Sequence, residues 1–248
     1  MSIINISGLV LKASSYKEKD KSLTLYTPSI GKIQALCKAA RDPMNHWSSS
    51  MDPPILAWFS LFERNHFFQL TEIREINVFP VLREQYRTRL VYYALCQAMA
   101  VVPFMESAEE LFRLLLETLL GMDQTPHQAE WFYYRFIIQF LTLQGYQRNI
   151  HTCVQCQRPV MSRQEPVFFS LGTGSFLCSS CARDEQGAIL LSNEVITLWK
   201  DFQDTGFKEM TGERNDFFHN FQELDRIISV MVKQVFHRNV ASLAELKL

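Results

Sequence analysis

No GxxxxGKS/T phosphate loop, GxGxxG turn after a strand, HExxH helix or GxSxG elbow occurs anywhere in the 248 residues. The usual sequence marks of nucleotide hydrolysis, dinucleotide redox chemistry, metalloproteolysis and serine esterolysis are therefore missing, and no enzymatic activity is expected. Long hydrophobic runs are missing too. The longest, Val91 to Phe104, is interrupted by Gln97 and closed by Pro103, and so falls short of the ~20 apolar residues a helix needs to cross a bilayer. No membrane association is expected. The start, Met1-Ser-Ile-Ile-Asn-Ile-Ser-Gly8, lacks a basic n-region, so no signal peptide is expected. Internal repeats and low-complexity tracts are absent as well.

What is present points to an ordered globular chain. Hydrophobic residues make up 47% and aromatics 12%, enough to bury a real core across more than one domain. Net charge is only −1, which by itself argues nothing for nucleic acid. Its distribution says more. Residues 1–41 hold Lys12, Lys17, Lys19, Lys21, Lys32, Lys38 and Arg41 against only Glu18 and Asp20, so the remainder of the chain is acidic. Such asymmetry fits either an anion-binding N-terminal module or a solvated strand face.

Short alternating segments dominate the first eighty residues. Gly8–Lys12, Ser22–Thr27, Lys32–Lys38, Ile55–Phe62 and Phe67–Phe79 read as five strands, with Thr27-Pro-Ser-Ile-Gly31 and Glu63-Arg-Asn-His66 as turns. Five strands in that length predict a small closed barrel of the OB type. The polar stretch Asp42–Asp52 is read as a loop across it, and Pro80 as the boundary. From about Arg83 the period becomes helical. Leu90, Tyr93, Ala94, Gln97 and Val101 trace one face, and Ser107-Ala-Glu-Glu110 is a capping box for a helix from Leu111 to Leu120 that Gly121 closes. Thr125 and Pro126 open a long helix ending near Gly145. Ser192 caps a short helix through Trp199 and Phe202, and residues 216–237 form the last one. The aromatic run Trp131-Phe-Tyr-Tyr-Arg-Phe136 is read as core.

Two cysteine pairs, Cys153-Val-Gln-Cys156 and Cys178-Ser-Ser-Cys181, lie 21 residues apart. Between them Pro166–Leu171, Gly172-Thr-Gly174 and Ser175–Leu177 read as a hairpin. Two CxxC turns joined by a hairpin make a zinc ribbon, with four soft ligands for one structural zinc ion. Disulfides would need an oxidising compartment and a redox dithiol would need a βαβ setting, so both readings rank below zinc. Four thiolates leave no open position for catalytic water, and His151 is not needed as a ligand. Cys37 and Cys96 sit in apolar contexts and are read as reduced core residues, which together with the pairs implies a reducing cytoplasm. The expected layout is α+β and multidomain: an OB-like barrel at 1–80, a helical domain at 81–149 and 187–248, and a zinc-ribbon insert at 150–186.

In order along the chain, Gly8-Leu-Val-Leu-Lys12, Tyr16-Lys-Glu-Lys-Asp20, Ser22-Leu-Thr-Leu-Tyr-Thr27, Gly31-Lys-Ile33 and Lys38-Ala-Ala-Arg41 resemble the N-terminus of the bacterial recombination-mediator family RecO. Phe79-Pro-Val-Leu-Arg83, a helix end at Gly145-Tyr146 and the four-cysteine segment extend the likeness over the whole chain. Two departures stand out. Ala39 and Ala40 occupy positions where the family usually has glycine, and the loop Asp42-Pro-Met-Asn-His-Trp47 is not basic. The resemblance implies DNA repair and recombination in the RecF pathway: binding of single- and double-stranded DNA, annealing of complementary strands, and partnership with RecR and with single-strand-binding protein. An OB barrel binds nucleic acid through a basic groove and aromatic platforms. On that basis Lys12, Lys17, Lys19, Lys21, Lys32, Lys38 and Arg41 would meet phosphates. Tyr16 and Tyr26 are the nearest stacking candidates, Tyr26 equally a strand-packing residue. Arg158 and Arg163 offer a lesser DNA contact on the ribbon. The acidic, apolar-ended tail of single-strand-binding protein is expected on the helical domain, near Arg83, Arg87, Arg89 and Arg135. The competing reading is a zinc-ribbon interaction scaffold that no longer touches DNA.

Overall fold

In the computed structural model, residues 2–42, 51–106, 109–146, 148–160, 165–204, 218–236 and 243 are described. The cap at Ser107, most of the 42–52 loop and Arg163 lie outside them. Contacts divide the chain into two compact units, 1–129 and 130–248.

The N-terminal unit is built on five strands: β1 (Ser2–Tyr16), β2 (Asp20–Thr27), β3 (Gly31–Cys37), β4 (Ile55–Arg64) and β5 (Phe67–Asn77). They close in the order β1-β2-β3-β5-β4, β1 returning to β4. Only β3 and β5 run parallel, through Ala35↔Phe68 and Leu36↔Gln69. This is the OB-like barrel expected, with β1 longer than its apolar centre suggested. Because β1 pairs with β2 at one end and with β4 at the other, polar residues at its extremities are carried by neighbours on both sides. Period-two alternation then fills the interior with Val10, Leu23, Leu25, Ile33, Ala35, Phe59, Leu61 and Leu70. Truncating any of the leucines to Ala would cost about 2–5 kcal/mol.

The turns follow from residue chemistry. Asn65 and His66 both have positive φ, the conformation a two-residue hairpin needs, and Asn tolerates it well. At the other turn Gly31 sits at φ 76, and any Cβ there would collide with the backbone of Glu106. Gly31→Ala is therefore expected to destabilise the N-terminal unit by more than about 2 kcal/mol, a loss that urea unfolding would register as a lower midpoint with unchanged slope.

Helices α1 (Pro80–Glu84), α2 (Tyr86–Met99) and α3 (Glu109–Gln124) belong to the same unit as the barrel. Pro80 occupies the first turn of α1, where its missing N–H costs nothing. The Tyr92 hydroxyl donates to the carbonyls of Val10 and Leu11, at 3.2 and 3.1 Å, fastening α2 to β1. The buried face of α2 is Thr88, Val91, Tyr92, Ala94, Leu95, Ala98 and Met99, Ala94 being the buried member it shares with the expected face. The expected face was rotated by about one residue, and Tyr93, placed inward by the sequence, is exposed. The reason is the flanking register: Tyr92 finds two backbone acceptors on β1, and an apolar count cannot see that. Gly121 does not close α3. It is buried within the helix, which runs on to Gln124.

The C-terminal unit contains α4 (Ala129–Leu143, its first residue in the other unit), β6 (Phe168–Ser170), β7 (Ser175–Leu177), α5 (Ser179–Ala182), β8 (Ile189–Leu190), α6 (Asn193–Asp204) and α7 (Phe218–Phe236). Of the aromatic run read as core, Trp131, Tyr133, Tyr134 and Phe136 are buried and Phe132 is half-buried. Arg135 is only 3% exposed and so offers no surface cation to an acidic tail. Ser192 accepts from the N–H of Val195 at the start of α6, the capping arrangement its position suggests.

Candidate nucleic-acid interface and metal centre

The four paired cysteines converge. Their Sγ atoms all lie within 4.8 Å of one another, and Cys156 and Cys178 are 3.7 Å apart. A tetrahedron with Zn–S bonds of about 2.3 Å has edges of about 3.8 Å, so the donor set has the right size and softness for that ion. All four are free thiols. Local backbone prepares the site. The N–H of Cys153 donates to the carbonyl of Arg158, and that of Gln157 donates to the carbonyl of Cys153, closing the first turn, while Val154 N–H bonds Phe176 O and ties it to β7. Cys178 stands immediately before α5, and Cys181 lies within it.

Electrostatics agree with a cation-binding role. Burial raises the Cys153 thiol, but N–H groups of Cys156, Cys178 and Gln155 outweigh it and hold the group below its ordinary value. The Ser180 hydroxyl and the Cys181 N–H bring Cys178 down to about 6. Hydrogen bonding to Cys178 then pushes Cys181 up to about 12. Ionising all four thiols at these separations costs mutual repulsion, which a bound divalent cation offsets. The remaining cysteines behave differently: burial pushes Cys37 and Cys96 each up to about 12, so they stay inert thiols.

This segment is braced by the rest of its unit. Phe176 packs edge-on against Trp199 at 5.3 Å, and Gln234 of α7 donates to the carbonyls of Leu171 and Gly172. Ser180 and Gln234 are contributors that the cysteine spacing did not reveal. Ser180 was findable as a hydroxyl inside the second CxxC turn; Gln234 had no local signal.

At one end of the barrel the β1–β2 turn and the chain leaving β3 are joined. Asp20 accepts from the N–H of Ala39 at 2.9 Å, Arg41 N–H donates to Lys19 O at 2.9 Å, and Arg41 Nη1 donates to Glu18 O at 3.1 Å. Lys17, Lys19, Lys38 and Arg41 are exposed on this joint. Lys21 is half-buried and faces Asp52 at 3.7 Å. Tyr16 is 46% exposed with the Lys17 ammonium over its ring. Lys12 is exposed farther along β1. Six of the seven cations in residues 1–41 thus reach the surface, Lys21 only in part. Lys32 is the exception. It is 4% exposed, its Nζ donating to the carbonyls of Met99 and Ala100 at the end of α2, which commits the ammonium to a helix C-terminus where a positive charge is favoured. Tyr26 is also internal: fully buried, stacked on Phe112, and its hydroxyl is pushed up to about 12, chiefly by burial. It is the packing residue, not a platform.

Ala39 has φ 52, the left-handed region in which a Cβ is costly. An L-residue loses about 1–2 kcal/mol there, whereas glycine adds about 0.4–1 kcal/mol of unfolded-state entropy. Ala39→Gly is expected to raise stability by up to about 1 kcal/mol, visible as a higher urea midpoint.

Both halves of the chain match a known family. The description Recombination protein O N terminal covers residues 1–79, and Recombination protein O C terminal covers residues 87–244. Among curated relatives, the DNA repair protein RecO of Symbiobacterium thermophilum is 24% identical over 249 residues, spanning 98% of this chain and 96% of the relative. That of Acetivibrio thermocellus is 27% identical over 194 residues, 77% of this chain and 76% of its own. The Syntrophus aciditrophicus protein of the same name is 29% identical over 177 residues, covering 70% and 68%. With barrel, helices and cysteine turns falling in that order under the two matches, the chain belongs to the RecO family of recombination and DNA repair proteins.

Proposed function

We propose that this protein is a DNA-binding recombination mediator that anneals complementary single strands and helps load recombinase on strands coated by single-strand-binding protein. The observation that carries the reading is the exposed cluster of Lys17, Lys19, Lys38 and Arg41 on the hydrogen-bonded joint of the barrel, in a chain whose family name is recombination. The cluster is preorganised: its loops are held by backbone bonds, so ordering them on binding costs little.

Annealing asks for positioning and charge, not for a reacting side chain. Cations along the barrel neutralise phosphates on two strands, counterions are released, and base pairing then drives the product. Tyr16, exposed beside Lys17, gives an unstacked base a platform. We assign Cys153, Cys156, Cys178 and Cys181 one structural zinc ion, which fixes both cysteine turns against β7. RecR and the acidic tail of single-strand-binding protein are the protein partners in this reading, the latter on the helical region, where Arg87 is half-buried. The division into barrel 1–80, helical 81–149 with 187–248, and ribbon 150–186 is the functional division that goes with it.

The test is annealing of complementary oligonucleotides precoated with single-strand-binding protein. Acceleration that weakens with salt is expected. A protein that binds the coat but neither naked strand, at any salt, would instead be an interaction scaffold.

A further inference from the structure

One groove of the N-terminal unit lies outside the basic joint. It runs between β1 and β2 on one side and α2 on the other, encloses about 540 Å³, and is bordered by Leu11, Lys12, Lys32, Arg89, Tyr93 and Phe104 among others. No Asp or Glu is among its described lining residues. Its floor is fixed. Phe104 bridges Lys32, and Met105 N–H donates to Lys32 O at 2.9 Å. The Lys32 ammonium lies 4.8 Å from the centre of the Phe104 ring, a cation–π contact that helps hold the ring in place. Phe104 and Tyr93 are nonetheless each 53% exposed, and large aromatic faces left open in a cationic groove call for a ligand.

Spacing indicates which ligand. Tyr86, Arg89, Tyr93 and Gln97 fall on one face of α2, with the Arg89 guanidinium 6.0 Å from the ring centre of Tyr86. Seven residues separate Tyr86 from Tyr93, about 10 Å along the helix, so cation and aromatic alternate over a length rather than at a point. On the facing strand Lys12, Ser14 and Tyr16 share one side, Lys12 opposite Thr24 and Ser14 opposite Ser22. They lead along β1 from the groove to the basic joint in two steps of about 6.8 Å each. An elongated groove of cations and open rings, with no carboxylate among its described lining residues, matches a polyanion with flat bases. A single peptide terminus would need one closed pocket instead.

We propose that this groove is a nucleotide-binding subsite for single-stranded nucleic acid, the base lying against Tyr93 and Phe104 and its flanking phosphates against Lys12 and Arg89. The inference rests on the DNA-binding reading above and adds to it residues of α2 and of the segment following it. It also explains why Tyr93 faces outward while Tyr92 is spent on β1.

Full-length protein and a fluorescent oligothymidylate test this by anisotropy across a salt series. Tyr93→Ala is expected to weaken binding roughly five- to hundredfold, the range for losing one stacked base, with the salt slope unchanged. Arg89→Ala is expected to reduce the slope by about 0.7, one phosphate's worth. Both side chains are exposed, so thermal unfolding should be unaltered, and Tyr93→Phe should restore affinity because the ring is kept. The subsite is overturned if Tyr93→Ala and Phe104→Ala both bind as wild type while Lys17, Lys19 and Lys21 replacements weaken binding, an outcome that leaves the DNA-binding reading standing. If wild type binds no oligothymidylate, both readings fall together. An acidic, apolar-ended peptide whose affinity drops in Tyr93→Ala while DNA binding does not would also overturn the subsite and make the groove a peptide site.

Discussion

Cys178→Ser is expected to release one zinc ion per chain and to unfold the segment around the cysteine turns. Three thiolates and a hydroxyl bind zinc far more weakly than four thiolates, and the Cys178 thiol is already brought down to about 6 by the Ser180 hydroxyl and the Cys181 N–H. In zinc-finger peptides the metal contributes about 10–16 kcal/mol at neutral pH. A whole domain keeps only about 5–15 kcal/mol in reserve, so forfeiting even part of the metal's share is severe. The damage should not stop at the turns. Phe176 packs on Trp199, and Gln234 reaches Leu171 and Gly172, so α6 and α7 lose partners as the hairpin loosens. Elemental analysis should give one zinc per wild-type chain, with the four thiols protected from a thiol reagent until a strong chelator is added. Zinc-free wild type with fully reactive thiols would defeat the assignment. Retention of wild-type zinc by Cys178→Ser would defeat the role of that residue.

How much of this was legible in the sequence varies with the range of the interaction involved. The barrel strands and the metal set were legible because their signals are local: alternation along Ser22–Thr27 and Lys32–Lys38, turn chemistry at Gly31 and Asn65, and two CxxC pairs with a hairpin between them. Lys32 was misjudged for the opposite reason. It alternates outward from Ile33 as a surface lysine should, but the carbonyls that claim it belong to Met99 and Ala100, more than sixty residues away in the chain. The face of α2 slipped by one position because the hydroxyl of Tyr92 is satisfied by β1, so a polar tip was buried and its neighbour Tyr93 was turned out. Tyr26 was ambiguous until Phe112 of α3 covered it. In each case the deciding partner was distant in sequence, and no periodicity carries that information. The same distance hid the groove: Lys12 and Arg89 are unremarkable apart and meaningful only where the fold sets them around one cavity.

Replacing Lys17, Lys19 and Lys21 together with Ala is expected to flatten the salt dependence of single-strand binding by up to about 2 in the log–log slope, at about 0.7 per phosphate. Lys17 and Lys19 are exposed on the β1–β2 turn and should give their full share. Lys21 should give less, since it is half-buried and already faces Asp52 at 3.7 Å. That ion pair is exposed on its acidic side, and such pairs are worth about 0–1 kcal/mol. Its loss should therefore leave the barrel folded, and the cysteine turns, in the other compact unit, should keep their metal. Annealing of complementary strands should slow in parallel, because strand repulsion is no longer offset. Affinity should fall equally for all sequences, as phosphate contacts carry no base information. Lys38 and Arg41 remain exposed on the joint, Arg41 hydrogen-bonded to it through Glu18 O and Lys19 O, so binding should weaken without vanishing. A triple variant that anneals at the wild-type rate with an unchanged slope would reduce the turn to a solvated face and move the DNA contact elsewhere on the protein.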